Sequence, residues 1–87
     1  MKGFVYLLKD QNGRFYIGST VDVARRLAQH KNGHTQTTRN MVNPVLVLAQ
    51  EYESLEVAKK VEKKIKKLKR KDYLERMVQD GKINIYT

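Results

Sequence analysis

A small α/β domain is the fold class this sequence predicts: a three-stranded antiparallel sheet flanked by helices, in the order β-β-α-β-α. Three observations lead there. Segments rich in aliphatic and aromatic residues lie at 4–8, 14–17 and 45–49 and read as strands. An Asn12-Gly13 pair sits between the first two, the strongest short signal for a hairpin. Apolar residues recur at helical spacing at Ala58, Val61, Ile65 and Leu68. Packing helices on the sheet is the economical way to bury both. The 87 residues suit one domain, and no repeat or linker divides them, so residues 1–87 are expected to fold as a unit.

The elements follow in order. Phe4-Val5-Tyr6-Leu7-Leu8 is the first strand and Arg14-Phe15-Tyr16-Ile17 the returning one. Two hairpin registers compete. A two-residue turn at Asn12-Gly13 puts Tyr6 and Tyr16 on opposite faces. A three-residue loop, Gln11 to Gly13 with Gly13 left-handed, pairs Leu8 with Tyr16 and puts both tyrosines on one face. The first helix follows Gly18-Ser19-Thr20, with Ser19 or Thr20 as its cap and Asp22 in its first turn. Its apolar side is Val23 and Leu27 with Ala24 and Ala28, and it stops near Asn32-Gly33. Residues 34–43 are polar and read as an irregular segment or one with a helical turn. Pro44 opens a third strand from Val45 to Ala49, apolar throughout, as expected of a strand covered on both faces. The long second helix starts at Ser54. A short amphipathic piece, Tyr73-Leu74 and Met77-Val78, precedes Gly81, and residues 83–86 read as a tail or a short edge strand.

Composition narrows the function. There is no cysteine, which excludes disulfides, thiolate metal sites and cysteine nucleophiles. The longest apolar run, Val45 to Ala49, is far too short to cross a membrane, and the N-terminus lacks a signal-peptide stretch; a cytoplasmic protein without membrane contact is expected. Net charge is +9, and residues 59–76 carry ten basic side chains against three acids. Such a stripe suits a polyanion. A solvated helix face with no partner is the plain alternative.

Phe4-Val5-Tyr6, followed by Tyr16-Ile17-Gly18, resembles the paired signature of the GIY-YIG nuclease superfamily, and is closest to its small stand-alone members. It is also similar to the N-terminal nuclease domain of a bacterial excinuclease. The order Gly18-Ser19-Thr20, Asp22, Arg26, His30 matches that family's spacing, and Glu62 falls in the helix where the family keeps its metal-binding glutamate. Phe4 departs from the pattern, standing where the first tripeptide usually has glycine. The resemblance implies a metal-dependent endonuclease that cleaves DNA phosphodiester bonds with a single Mg²⁺ or Mn²⁺, with a role in repair or recombination. It further implies recognition of DNA by structure or damage, or through a partner protein. The alternative is a non-catalytic basic nucleic-acid-binding module on the same fold; a protein-interaction adaptor is a third reading.

Phosphodiester cleavage needs a water that loses its proton and stabilisation of the charge that develops on phosphate. Tyr6 is the candidate general base. Its reference pKa near 10 requires nearby cations to lower it, or a group to relay its proton. Tyr16 shares that role or orients the water. Arg26 offers a permanently charged fork for phosphate, and His30, four residues on, assists proton transfer. One carboxylate, Glu62, suffices for a hard cation that keeps its waters. Lys63, Lys66, Lys67 and Arg70, with Thr37 and Thr38, are the candidate phosphate contacts. The structural alternatives are surface tyrosines, an Arg26–Asp22 ion pair, and a Glu62 tied up with Lys66 or Lys59.

Overall fold

The computed structural model describes residues 1–31, 41–68 and 70–83. Its elements are β1 (Gly3–Lys9), β2 (Phe15–Thr20), α1 (Val23–Lys31), β3 (Val45–Tyr52), α2 (Leu55–Leu68) and α3 (Lys71–Asp80). The expected three-stranded antiparallel sheet is present, in the order β2-β1-β3, and the short amphipathic piece near the end forms a third helix.

Of the two hairpin registers, the three-residue loop is the one formed. The Asp10 N–H donates to the Arg14 carbonyl at 3.0 Å and the Gly13 N–H to the Asp10 carbonyl at 3.1 Å, while Gly13 takes φ 81°. A Cβ at that φ would clash with its own backbone, so glycine suits the position. Leu8 therefore pairs with Tyr16 and Tyr6 with Gly18. Asp10, to which no sequence motif points, organises the turn. Its carboxylate accepts the N–H groups of Asn12 at 2.9 Å, Arg14 at 2.8 Å and, across the fold, Val42 at 3.2 Å. Burial opposes its charge, but the donors outweigh burial and hold its pKa below the ordinary carboxylate value.

Alternation divides β1 between two environments. Val5 and Leu7 point to α2, where they join Ala58, Val61, Ile65, Leu48, Met77 and Ile83 in the apolar core. Each aliphatic side chain so buried contributes about 1.5–3 kcal/mol. Tyr6 and Leu8 point the other way, and both are as fully buried. The start of α2 is capped as expected, with Ser54 Oγ accepting the Val57 N–H at 3.2 Å. The end of α3 closes in a Schellman pair, the Gly81 N–H to Val78 and the Lys82 N–H to Met77.

Four expectations are corrected. The apolar β3 is not covered on both faces: it is an edge strand, with Val45 58% and Leu46 40% exposed, and the central strand is β1. A bulge explains part of the pattern. Leu7 pairs with Leu48 but Leu8 pairs with Leu46, so Val47 is an extra residue that sends Leu46 and Leu48 to opposite faces. Second, Leu68 leaves the core stripe and is 39% exposed at the last residue of α2. Third, α1 is capped by Asp22, whose Oδ1 accepts the Arg25 N–H at 3.0 Å; Thr20 instead bonds the Asp22 backbone. Fourth, Ala24 and Ala28 are not on the sheet-facing side, which α1 builds from Val23, Arg26, Leu27 and His30. At the C-terminal end, Ile83 is held by the Gln50 side chain, which accepts its N–H at 2.7 Å; residues 84–86 of the expected tail lie outside the described residues.

Candidate active site

Three of the five candidate catalytic side chains touch. The Tyr6 hydroxyl and His30 Nε2 are hydrogen-bonded at 2.9 Å, in a buried setting. The Tyr16 ring stands edge-on to His30 at 4.9 Å between centroids and 6.1 Å from the Tyr6 ring. The hairpin register is what makes this possible. Tyr16 lies two residues before Gly18 on β2, and Tyr6 crosses directly over Gly18. A Cβ on Gly18 would come within 2.5 Å of the Tyr6 hydroxyl oxygen and 2.6 Å of its Cζ, so the missing side chain is the space the Tyr6 ring occupies. His30 comes down onto this face from the last turn of α1, one turn beyond Arg26.

Arg26 and Glu62 complete the set at longer range. The Arg26 guanidinium donates to Gln29 Oε1 at 3.3 Å rather than pairing with Asp22. Glu62 reaches the site from the other side of the sheet. Its Oε1 accepts the Ser19 hydroxyl at 2.5 Å, and its Oε2 accepts Lys66 Nζ at 2.7 Å. Ser19 follows Gly18 on β2, so the tyrosine pair and the glutamate meet around the edge of that strand. The sequence suggests only a helix cap for Ser19; its pairing with Val5 carries the signal that it points to α2. Both charges act on the Tyr6 hydroxyl, Arg26 opposing its protonation and Glu62 favouring it.

The electrostatics correct one expectation. Burial, reinforced by the Tyr16 hydroxyl, raises the Tyr6 pKa well above its usual value; the Arg26 charge pulls it down but is outweighed. His30 moves the other way. Burial and then the Arg26 charge hold its pKa below 6.5, so the imidazole is neutral at neutral pH. The pair is a protonated phenol beside a neutral imidazole, an arrangement that can pass a proton along but not one that starts from a phenolate.

The basic residues divide. Lys66 and Arg70, with Arg14 and Lys71, line a groove of about 690 Å³ whose floor includes Phe15, Tyr16 and Leu74. Within it, Arg70 forks onto Asp72 at 2.8 and 3.2 Å and lies over the Tyr73 ring. Lys63 and Lys67 line a second groove with Lys60 and Lys64, of about 510 Å³. They stand one residue on from Glu62 and Lys66, roughly 100° round the helix. Thr37 and Thr38 lie outside the described residues.

Among the described residues, no three His, Cys, Asp or Glu side chains cluster as a metal cage, and no helix is long and apolar enough to cross a membrane. Comparison with known proteins gives the family. Residues 2–76 match the model of the GIY-YIG catalytic domain. A UPF0213 protein of Streptococcus pneumoniae serotype 4 is 39% identical over 70 residues, covering 79% of this chain and 71% of its own. One from Yersinia pestis (strain Pestoides F) is 39% identical over 77 residues, covering 87% and 80%. The solution NMR structure of a UPF0213 protein from Bacillus halodurans superposes with a TM-score of 0.58 at 32% identity, over 93% of this chain and 87% of that one. With the tyrosine pair on one sheet face, the histidine hydrogen-bonded to it and the matched segment spanning all three strands, the chain belongs to the GIY-YIG family.

Proposed function

We propose that this protein is an endonuclease that cleaves DNA phosphodiester bonds with one Mg²⁺ or Mn²⁺ held by Glu62. The observation that carries the reading is the buried Tyr6–His30 hydrogen bond, with Tyr16 packed on it and the charges of Arg26 and Glu62 both acting on the Tyr6 hydroxyl.

Glu62 suits a single hard cation. It is a carboxylate of which 20% is exposed, and its Oε2 already holds a positive charge, the Lys66 ammonium, at 2.7 Å. With one carboxylate, Mg²⁺ would keep most of its water and take further oxygens from phosphate. Such an ion supplies charge neutralisation at the phosphate and leaving oxygen.

The chain's own residues account for proton transfer and phosphate grip. Water attacking phosphorus gives a proton to the Tyr6 oxygen as Tyr6 passes its own to His30 Nε2. The raised Tyr6 pKa and lowered His30 pKa set the starting states, a protonated phenol and a neutral imidazole, and require the two transfers to be concerted, so that no free phenolate forms. Nε2 accepts when the imidazole proton sits on Nδ1. Tyr16 orients the water against the Tyr6 oxygen. Arg26 holds a phosphate oxygen in its guanidinium fork. Lys66 and Arg70 in one groove, and Lys63 and Lys67 in the other, grip the backbone, which supports affinity without sequence reading.

The test is Glu62→Gln, assayed on mixed DNA structures with Mg²⁺ or Mn²⁺ and, separately, for binding. Cleavage is expected to fall by at least about 10²–10³-fold, with binding retained because an acid has left a basic helix. Equal cleavage by wild type and variant would move the metal site elsewhere. A wild type that cuts no DNA under either metal would put the basic binding module in its place.

A further inference from the structure

Both oxygens of Glu62 are engaged. Ser19 takes Oε1 and Lys66 takes Oε2, the second as a charge-assisted contact at 2.7 Å between groups one helical turn apart. Each oxygen keeps a second lone pair, but a dication on Oε2 would lie beside the ammonium, and like-charge repulsion sets the two in competition. The ammonium is the weaker holder. Its side chain is 53% exposed, on a flexible stem, whereas Ser19 sits on a strand. Once displaced, Lys66 has somewhere to go, because it lines the groove shared with Arg14, Tyr16, Arg70 and Lys71, where a phosphate backbone would lie.

We propose that Lys66 is a latch on Glu62: in the free protein its ammonium occupies the cation position, and metal binding releases it to the substrate phosphate. The proposal rests on the reading of Glu62 as metal ligand. Charge alone then sets two consequences. The free protein binds divalent cations weakly, since a dication must compete with a lysine already in place. Polyanion binding strengthens metal binding, because it gives the released ammonium a partner; by linkage, metal strengthens polyanion binding by the same factor. Lys66 is thus a positioning residue whose effect reads out in metal affinity.

The experiment is Mn²⁺ binding without nucleic acid, followed by the electron paramagnetic resonance signal of free Mn²⁺. Wild type is compared with Lys66→Met, Lys66→Arg, Lys67→Met, Glu62→Gln and the Lys66→Met/Glu62→Gln double variant. Lys66→Met is expected to tighten Mn²⁺ binding about fivefold, the upper worth of an ion pair whose lysine is half exposed. Lys66→Arg keeps the latch and binds as wild type. Lys67→Met removes the same charge one residue along and tightens binding less than about twofold, since Lys67 lines the other groove and acts through screening solvent. The double variant loses the gain. Methionine is a good helix former, so the substitutions leave α2 intact. Lys66→Met binding no tighter than wild type, or Lys67→Met matching it, overturns the latch while a loss of binding in Glu62→Gln still supports the metal ligand. Mn²⁺ binding unaffected by Glu62→Gln in either background overturns both.

Discussion

The two faces of the sheet bury β1 equally and use it differently. On the α2 side, Val5 and Leu7 meet Ala58, Val61 and Ile65, and the contacts are apolar. On the α1 side, Tyr6 is 1% exposed yet its neighbours are Tyr16, His30 and the Gly18 backbone. The first face stabilises by area removed from water, which tolerates any side chain of suitable volume. The second encloses polar groups, which costs free energy unless each finds a partner. Tyr6 and His30 satisfy each other, and the same burial that makes them dependent on one another drives their pKa values apart. Adjacent residues of one strand thus lie in an apolar and a polar environment, and the proposed chemistry falls on the second.

The widest effect that would test this division is on stability. Leu7→Ala removes a fully buried side chain from the α2 face and is expected to cost about 2–5 kcal/mol in urea unfolding. Cleavage per folded molecule should hardly move. A per-molecule loss as large as the one next described would mean the faces are not independent.

Gly18→Ala probes the other side. The added Cβ would meet the Tyr6 hydroxyl and Cζ, so the ring must shift, and its hydrogen bond to His30 is disturbed. A displacement of about 1 Å is enough to lower cleavage roughly 10²-fold, with a stability cost of about 1–3 kcal/mol from overpacking. Retained cleavage would show that the position of Tyr6 is not critical.

A smaller effect is expected from pH. Folded His30 has a pKa below 6.5, so as pH falls below about 6.5 the unfolded chain binds a proton that the folded one resists. Stability contributed by neutral His30 is complete above that pH and is lost as pH drops toward the folded-state pKa. His30→Gln should flatten this part of a stability–pH curve measured by thermal unfolding. An unchanged slope would locate the proton uptake in another group.

Much of the fold is legible in the residues. That a hairpin forms, though not its register, the α2 stripe of Ala58, Val61 and Ile65, and the Ser54 cap follow from local chemistry, because turn residues and helical spacing act over a few positions. The candidate site is legible only through resemblance: isolated tyrosines, a histidine and a glutamate at those spacings have ordinary structural explanations. Glu62 is a case in point: its ion pair with Lys66, the structural alternative, is formed, and the proposed metal role falls on the same carboxylate. Sequence and structure part where one signal has two causes. An all-apolar run describes a strand buried on both faces as well as an edge strand carrying a bulge, and β3 is the latter.

By itself the sequence determined the element types, the hairpin glycine, the core stripe of α2 and the concentration of positive charge, all of them properties of neighbours along the chain. Tertiary structure decided what depends on residues far apart. It chose β1 as the central strand, brought Asp10 to the Val42 N–H, set Ser19 and Lys66 on Glu62, and enclosed Tyr6 with His30 so that burial, rather than a nearby cation, governs its proton. The physical reason is that desolvation and pairing are set by what surrounds a group in space, and a linear pattern carries that surrounding only where spacing along the chain and distance in the fold coincide.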